Sequence, residues 1–105
     1  MKIIVKSTGL ELSEALNEFI SIKLSSLSKF IVKFEKKSEA ILKVEVARST
    51  KHRHKGDVYY VELSLALPKN DLRIEQYDED IRSGIDKAKR KMALEIKKID
   101  DKHFR

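Results

Sequence analysis

The fold is decided by the C-terminal part of the sequence, residues 78–102, which read DEDIRSGIDKAKRKMALEIKKIDDK. Hydrophobic residues recur there at intervals of three and four, which is the spacing that lines one face of an α-helix. The pattern predicts one long amphipathic helix whose apolar stripe must be buried. The stripe consists of Ile81, Ile85, Ala88, Met92, Ile96 and Ile99.

The same helix carries basic residues far from that stripe, so they point outward when the stripe packs against the rest of the protein. Residues 81–105 hold nine Lys or Arg against four Asp or Glu, whereas residues 51–80 hold five against seven. The net charge of +6 is therefore concentrated on helices. The outward cations of this helix are Lys87, Arg90, Lys91, Lys97 and Lys98.

Length and composition limit the class of protein. A chain of 105 residues predicts one domain, residues 1–105, with a single core. The absence of cysteine excludes disulfides and thiolate metal sites and fits a reducing compartment, the cytoplasm. Apolar runs reach only about four residues, which is far short of a membrane span. Charged residues interrupt the N-terminal segment, whereas a secretory signal has a continuous apolar region.

Upstream of the C-terminal helix, hydrophobic alternation and turn residues predict a second helix and four strands. The helix covers residues 13–30, with Ser13 as its N-cap. The order β-α-β-β-β-α predicts an α+β fold with a four-stranded sheet, expected to be an antiparallel meander, and with both helices packed on one face. The predicted strands are residues 2–7, 39–48, 58–67 and 72–75.

The residues offer little for catalysis. His52 and His54 lie in a basic loop, residues 51–55, but no third ligand stands at metal-binding spacing nearby. The three glycines form no phosphate-binding loop. We therefore expect a protein that is not an enzyme and that uses no cofactor, metal or small-molecule substrate.

The clustered positive charge favours a polyanionic partner, with nucleic acid first and an anionic membrane surface second. The alternative is a charged face that is merely solvated. Leu94 lies among the outward cations, where it is either an ordinary exposed residue or a contact for a ribose or base.

Three segments carry a resemblance to a known family. Residues 60–68 followed by 72–75 resemble its VEI…LPG…LRAEE stretch, residues 77–91 are similar to its last helix, and residues 13–27 resemble its first helix. The family is that of the ribosome hibernation promoting factors, also called ribosome-associated inhibitor A or sigma-54 modulation proteins. The resemblance covers essentially the whole chain, and we expect a short form without the additional domain of the long members.

The resemblance implies a layout related to double-stranded-RNA-binding domains. It also implies binding to 16S rRNA in the decoding region of the 30S subunit, where the protein would block the tRNA and mRNA sites. Ser26 stands where the family usually has a second Lys. By matching position, the implied rRNA contacts are Lys23, Lys87, Arg90 and Lys91, with Lys97 and Lys98 following on the same helix.

Two other functions share part of this pattern. One is a binder of structured RNA unrelated to the decoding centre, and the other is a protein-interaction module that regulates transcription. For the free protein we expect a monomer with no membrane partner.

Overall fold

The computed structural model of the chain describes residues 1–49 and 58–103, so the predicted basic loop at 51–55 lies outside the described residues. Four strands form one sheet in the order β1-β2-β3-β4, and the helices cover one of its faces. The predicted α+β fold is confirmed. Its elements are β1 (Lys2–Thr8), α1 (Glu14–Ser25), α2 (Ser28–Ile31), a 3-10 turn (Val32–Phe34), β2 (Ile41–Ser49), β3 (Val58–Leu67), β4 (Asn70–Asp78) and α3 (Ile81–His103).

The expectation of an antiparallel meander was wrong for the first pair of strands. β1 lies parallel to β2, with Ile3 opposite Leu42 and Val5 opposite Val44, whereas β2–β3 and β3–β4 are antiparallel. Parallel neighbours need a crossover connection, which here contains α1. Alternation within a strand does not reveal its direction, so the sequence pattern left this pairing undetermined.

The core lies between the sheet and the helices. On α3, Ile85, Ala88, Met92 and Ile96 have no exposed surface, and Ile99 is 9% exposed. This is the stripe predicted from the sequence, except that Ile81 at the start of the helix is only half-buried. Because the stripe packs on the sheet, the opposite side of α3 faces solvent from Arg82 to Asp101.

The first helix does not run unbroken to Phe30 as predicted. The hydroxyls of Ser25 and Ser26 donate to the carbonyls three residues earlier, at 2.9 and 2.7 Å. The backbone N–H of Leu27 likewise donates to the carbonyl of Leu24 at 3.0 Å. Such short-range bonds tighten the helix and compete with its regular ladder. The chain therefore leaves α1 after Ser25 and continues as the separate helix α2.

Candidate nucleic-acid interface

The two faces of the molecule differ in charge. Between residues 82 and 98, α3 carries seven Lys or Arg against two acids. The outer face of the sheet, which the helices leave open, is balanced by comparison. Strand alternation places four basic and four acidic residues there: Lys2, Lys6, Lys43 and Arg73, and Glu45, Glu62, Asp71 and Glu75.

On the outer sheet face, Arg73 is paired with two of the carboxylates. Arg73 donates to Glu62 at 3.0 Å and lies 3.2 Å from Glu75. Tyr60 donates its hydroxyl to the same carboxylate of Glu62. The hydrogen bond from Arg73, followed by that from Tyr60, lowers the pKa of Glu62, while burial raises the pKa of Tyr60. This face therefore presents little net charge to a partner.

The six sequence-predicted contact residues all lie on the helical face, but in two groups. Arg90 and Lys97 line a groove between the α1–α2 junction and α3, and Lys23 lies close to its end. Lys87, Lys91 and Lys98 follow one another at spacings of four and seven, so they share the other flank of α3, towards β4. We call these two areas the helix groove and the outer flank.

Four of the six predicted cations, Lys23, Lys87, Arg90 and Lys98, have carboxylate partners. Asp86 pairs with both Arg90, at 2.6 Å, and Lys23, at 3.5 Å. On the outer flank, Lys87 pairs with Asp78 at 2.6 Å and Lys98 pairs with Glu95 at 3.2 Å. Lys91 and Lys97 have no ion-pair partner among the described residues.

The pairing lowers the pKa of two carboxyl groups. The hydrogen bond from Arg90 is the main cause for Asp86, and the hydrogen bond from Lys87 is the main cause for Asp78. All the cations in these pairs are substantially exposed, and exposed ion pairs contribute only about 0–1 kcal/mol each. A phosphate group can therefore compete with these carboxylates for the same cations.

The helix groove contains residues that the sequence analysis did not select as contacts. It has a volume of about 390 Å³ and is lined by Ser26, Lys29, Phe30, Lys89, Arg90, Ala93, Leu94 and Lys97. None of these lining residues is acidic. Lys29 and Lys89, which were not predicted as contacts, have no ion-pair partner among the described residues.

Inter-helix ion pairs mark the two ends of the helix groove. At one end Lys23 reaches Asp86, and at the other Lys33 lies 3.4 Å from Asp100. The two aspartates stand fourteen residues apart on α3, which corresponds to about 21 Å. The anionic groups thus lie at the ends of the groove, and every charged residue that lines it is a cation.

The sequence contains one weak indication of the groove, which is the position of Lys89 beside the apolar stripe of α3. Lys89 comes directly after the buried Ala88 and four residues before the half-buried Ala93, so it borders the stripe on one side. Only the packing of α3 against α2 shows that this side faces Lys29 and Phe30. Arg82 is another missed cation: its guanidinium lies 5.3 Å from the ring centre of Phe19 on α1.

The described parts of the chain offer neither a metal-binding cluster nor a membrane-spanning helix. No group of three or more His, Cys, Asp or Glu residues within residues 1–49 and 58–101 is placed to hold a metal ion. His52 and His54 fall outside those ranges. No helix in the described chain combines the length and the apolar character that crossing a membrane requires.

The fold and its cationic helical face define a class of small α+β protein suited to a polyanionic partner. Residues 3–103 match the family described as "Sigma 54 modulation protein / S30EA ribosomal protein". The chain belongs to this family of ribosome-associated modulation and hibernation factors, which is not a known enzyme family. A comparison with curated proteins finds no significant match.

Solved structures share the same fold. The N-terminal domain of Protein Y from Thermus thermophilus is 23% identical and superposes with a TM-score of 0.74, covering 94% of this chain and 99% of that one. A ribosomal subunit interface protein from Coxiella burnetii is 18% identical with a TM-score of 0.69, covering 96% of this chain and 99% of its own. Both confirm the β-α-β-β-β-α architecture with a mixed sheet.

Proposed function

We propose that this protein is a cytoplasmic ribosome hibernation factor that binds 16S rRNA near the decoding centre of the 30S subunit and blocks the mRNA and tRNA sites. Family membership supports the ribosome as partner. The cationic helical face supports rRNA as the component bound. The proposed rRNA contacts are Lys23, Lys87, Arg90, Lys91, Lys97 and Lys98, to which the structure adds Lys29 and Lys89.

The observation that carries this proposal is the set of cations on one face that have no carboxylate partner among the described residues: Lys29, Lys89, Lys91 and Lys97. A lysine without a carboxylate partner binds a phosphate without first breaking an ion pair, and among these four Lys29 contacts the ring of Phe30, 5.2 Å from its centre. Paired cations such as Arg90 also contribute, because their surface ion pairs are weak. The buried stripe holds α3 rigidly on the sheet, so the cations keep fixed relative positions.

The mechanism is occupancy. A protein held in the decoding region by phosphate contacts excludes mRNA and tRNA through its volume, and no bond is made or broken. Phosphate contacts position a protein on RNA without reading its sequence. Specificity for the decoding region would then come from the shape of the rRNA surface that the helical face matches.

The proposal is tested with two triple variants that each remove three positive charges. Lys89→Gln, Lys91→Gln and Lys97→Gln alter the helical face, whereas Lys2→Gln, Lys6→Gln and Lys43→Gln alter the outer sheet face. None of the six lysines has an ion-pair partner among the described residues, so both variants should fold. Binding to purified 30S subunits is measured by co-sedimentation over a range of salt concentrations.

We expect the helical-face variant to bind about 100-fold more weakly at about 0.1 M salt, with a log–log salt slope shallower by about 2, because each phosphate contact contributes about 0.7. The sheet-face variant should bind like the wild type. Equal weakening of both variants would contradict the proposed face.

The decoding region itself is tested by competition. Saturating mRNA and tRNA should prevent binding of the protein to 30S subunits, and the protein should inhibit cell-free translation. If generic duplex RNA competed as well as subunits under matched salt, the protein would be a binder of structured RNA unrelated to the decoding centre. Recovery of polymerase components without rRNA would favour the transcription-regulating function.

A further inference from the structure

The floor of the helix groove is apolar although its rim is cationic. Phe30 and Ala93 are half-buried there, and Leu94 is 59% exposed in the midst of lysines. Phosphate binding alone does not use such a floor, because phosphates contact cations and leave apolar surface in water. A ligand that matches both parts of the groove carries a flat apolar group together with negative charge.

The polar group at the α1–α2 junction narrows the choice of ligand. Ser26 lines the groove, and its hydroxyl donates its single hydrogen to the carbonyl of Lys23 at 2.7 Å. Towards the groove, Ser26 is therefore left with acceptor capacity only. A hydrogen-bond donor on the ligand, such as the amino or imino group of a base or a ribose 2′-hydroxyl, complements this acceptor.

We infer that the helix groove binds a single unstacked nucleotide of RNA, its base on Phe30 and Leu94 and its flanking phosphates on Lys29, Lys89 and Lys97. This inference rests on the proposed function and specifies the chemistry that one part of the same surface recognises. Charge complementarity supports it, because every charged lining residue is a cation. Bases stack on aromatic and apolar side chains irrespective of their identity, so the groove would select an unpaired nucleotide rather than a sequence.

The inference is tested with an RNA hairpin whose stem carries a one-nucleotide bulge of 2-aminopurine. The comparison probe is the same hairpin with an abasic bulge, which keeps every phosphate and removes only the base. Affinity is measured by fluorescence anisotropy, and 2-aminopurine emission reports the environment of the base. We expect the abasic probe to bind at least about fivefold more weakly, the lower end of what one stacked base contributes.

Two matched variants locate the base. Leu94→Ala removes an exposed side chain from the groove, and Ile22→Ala removes a side chain that is 65% exposed on α1 and does not line the groove. Both positions are largely exposed, so both variants should fold. Leu94→Ala should abolish the preference for the intact bulge and the change in 2-aminopurine emission, whereas Ile22→Ala should retain both.

Equal affinity of wild-type protein for the intact and abasic probes would overturn the inference, as would equal behaviour of the two variants. Displacement of the intact probe by an acidic peptide carrying Phe, at lower concentration than by unlabelled hairpin, would also overturn it and assign the groove to a protein partner. Each of these results leaves the salt-dependent 30S binding of the proposed function untouched. Failure of the proposed function itself shows as unchanged co-sedimentation of the Lys89→Gln, Lys91→Gln, Lys97→Gln variant.

Discussion

Lys69 occupies a backbone conformation that suits glycine. It follows Pro68 in the tight turn between β3 and β4, where Leu67 pairs with Asn70, and its φ is 66°. A residue with a β-carbon is strained by roughly 1–2 kcal/mol in this left-handed region. A glycine at position 69 would adopt this conformation without that strain.

Replacing this lysine by glycine should stabilise the protein. Glycine costs about 0.5–1 kcal/mol, because it gives the unfolded chain more conformational freedom. The strain that it relieves is larger, so Lys69→Gly should raise the free energy of unfolding by about 0.5–1 kcal/mol. Urea denaturation at neutral pH measures the change. Lys69→Ala is the control, since it keeps the β-carbon and should give no gain; equal stability of the two variants would contradict the explanation.

Individual side chains were the least predictable part of the site. Helical periodicity placed Lys91 and Lys97 on the solvent side correctly, because a buried stripe fixes which residues face away from it. It could not show that Asp86 holds both Arg90 and Lys23. The contact with Lys23 joins two helices distant in sequence, so it depends on how α1 and α3 pack.

At the scale of elements, α3 packs tightly against the sheet at Gly84. A β-carbon at this buried position would lie 3.3 Å from the β-carbon of Asp78 on β4 and 3.4 Å from a methyl group of Val61 on β3. The first turn of α3 is fixed nearby by Asp80, whose carboxylate accepts hydrogen bonds from the backbone N–H and hydroxyl of Ser83 at 3.1 and 2.7 Å. The helix therefore has little room to shift away.

A larger side chain at Gly84 should push α3 off the sheet. Gly84→Val should lower the free energy of unfolding by about 2 kcal/mol relative to Gly84→Ala, because overpacking a close contact typically costs 1–3 kcal/mol. Thermal and urea denaturation measure the difference. Lys91→Ala and Lys91→Val are the controls, because their difference at an exposed position gives the contribution of helix propensity alone. An equal difference in free energy of unfolding at the two positions would show that space at Gly84 is not limiting.

The sequence predicted which segments are helices and strands better than it predicted where they end or in which direction the strands run. The long amphipathic pattern identified α3, and alternation identified β3 with its observed ends, Val58 and Leu67. The break after Ser25 was missed because the apolar spacing continues through it, and only the serine hydroxyl bonds reveal it. The parallel pairing of β1 with β2 was missed because it depends on the crossover, which no local pattern encodes.

The whole molecule measures 47 × 25 × 17 Å, with helices on one side and an open sheet on the other. The helical side gathers cations, and the sheet side balances its charges through pairs such as Arg73 with Glu62. This asymmetry orients the protein towards a polyanion before contact, since clustered charge steers association. Increasing salt should weaken that orientation along with the affinity.

Carboxylates stabilise the protein on both sides, which gives a pH dependence to the whole fold. Five of them have a pKa below its ordinary value of 4.5 for Glu or 3.8 for Asp. The causes are chiefly hydrogen bonds donated by the backbone of Ala40, by Arg73, by Lys87, by Ser83 and by Arg90. The corresponding acids are Glu35, Glu62, Asp78, Asp80 and Asp86.

A pKa that is lower in the folded state means that the unfolded chain binds protons more readily. The stabilisation is complete above the ordinary pKa values of 4.5 and 3.8 and is lost as the pH falls through the lower folded-state values. The free energy of unfolding from urea titrations should therefore stay level between about pH 7 and 5 and decline steadily below about pH 4.

Glu62→Gln should be less stable than wild type at pH 7 and lose less stability on acidification, because it removes one of these carboxylates. Glu79→Gln, an exposed acid with no ion-pair partner among the described residues, is the matched control for loss of one charge. Parallel acid profiles for wild type and Glu62→Gln would show that the Arg73–Glu62 contact contributes nothing to stability.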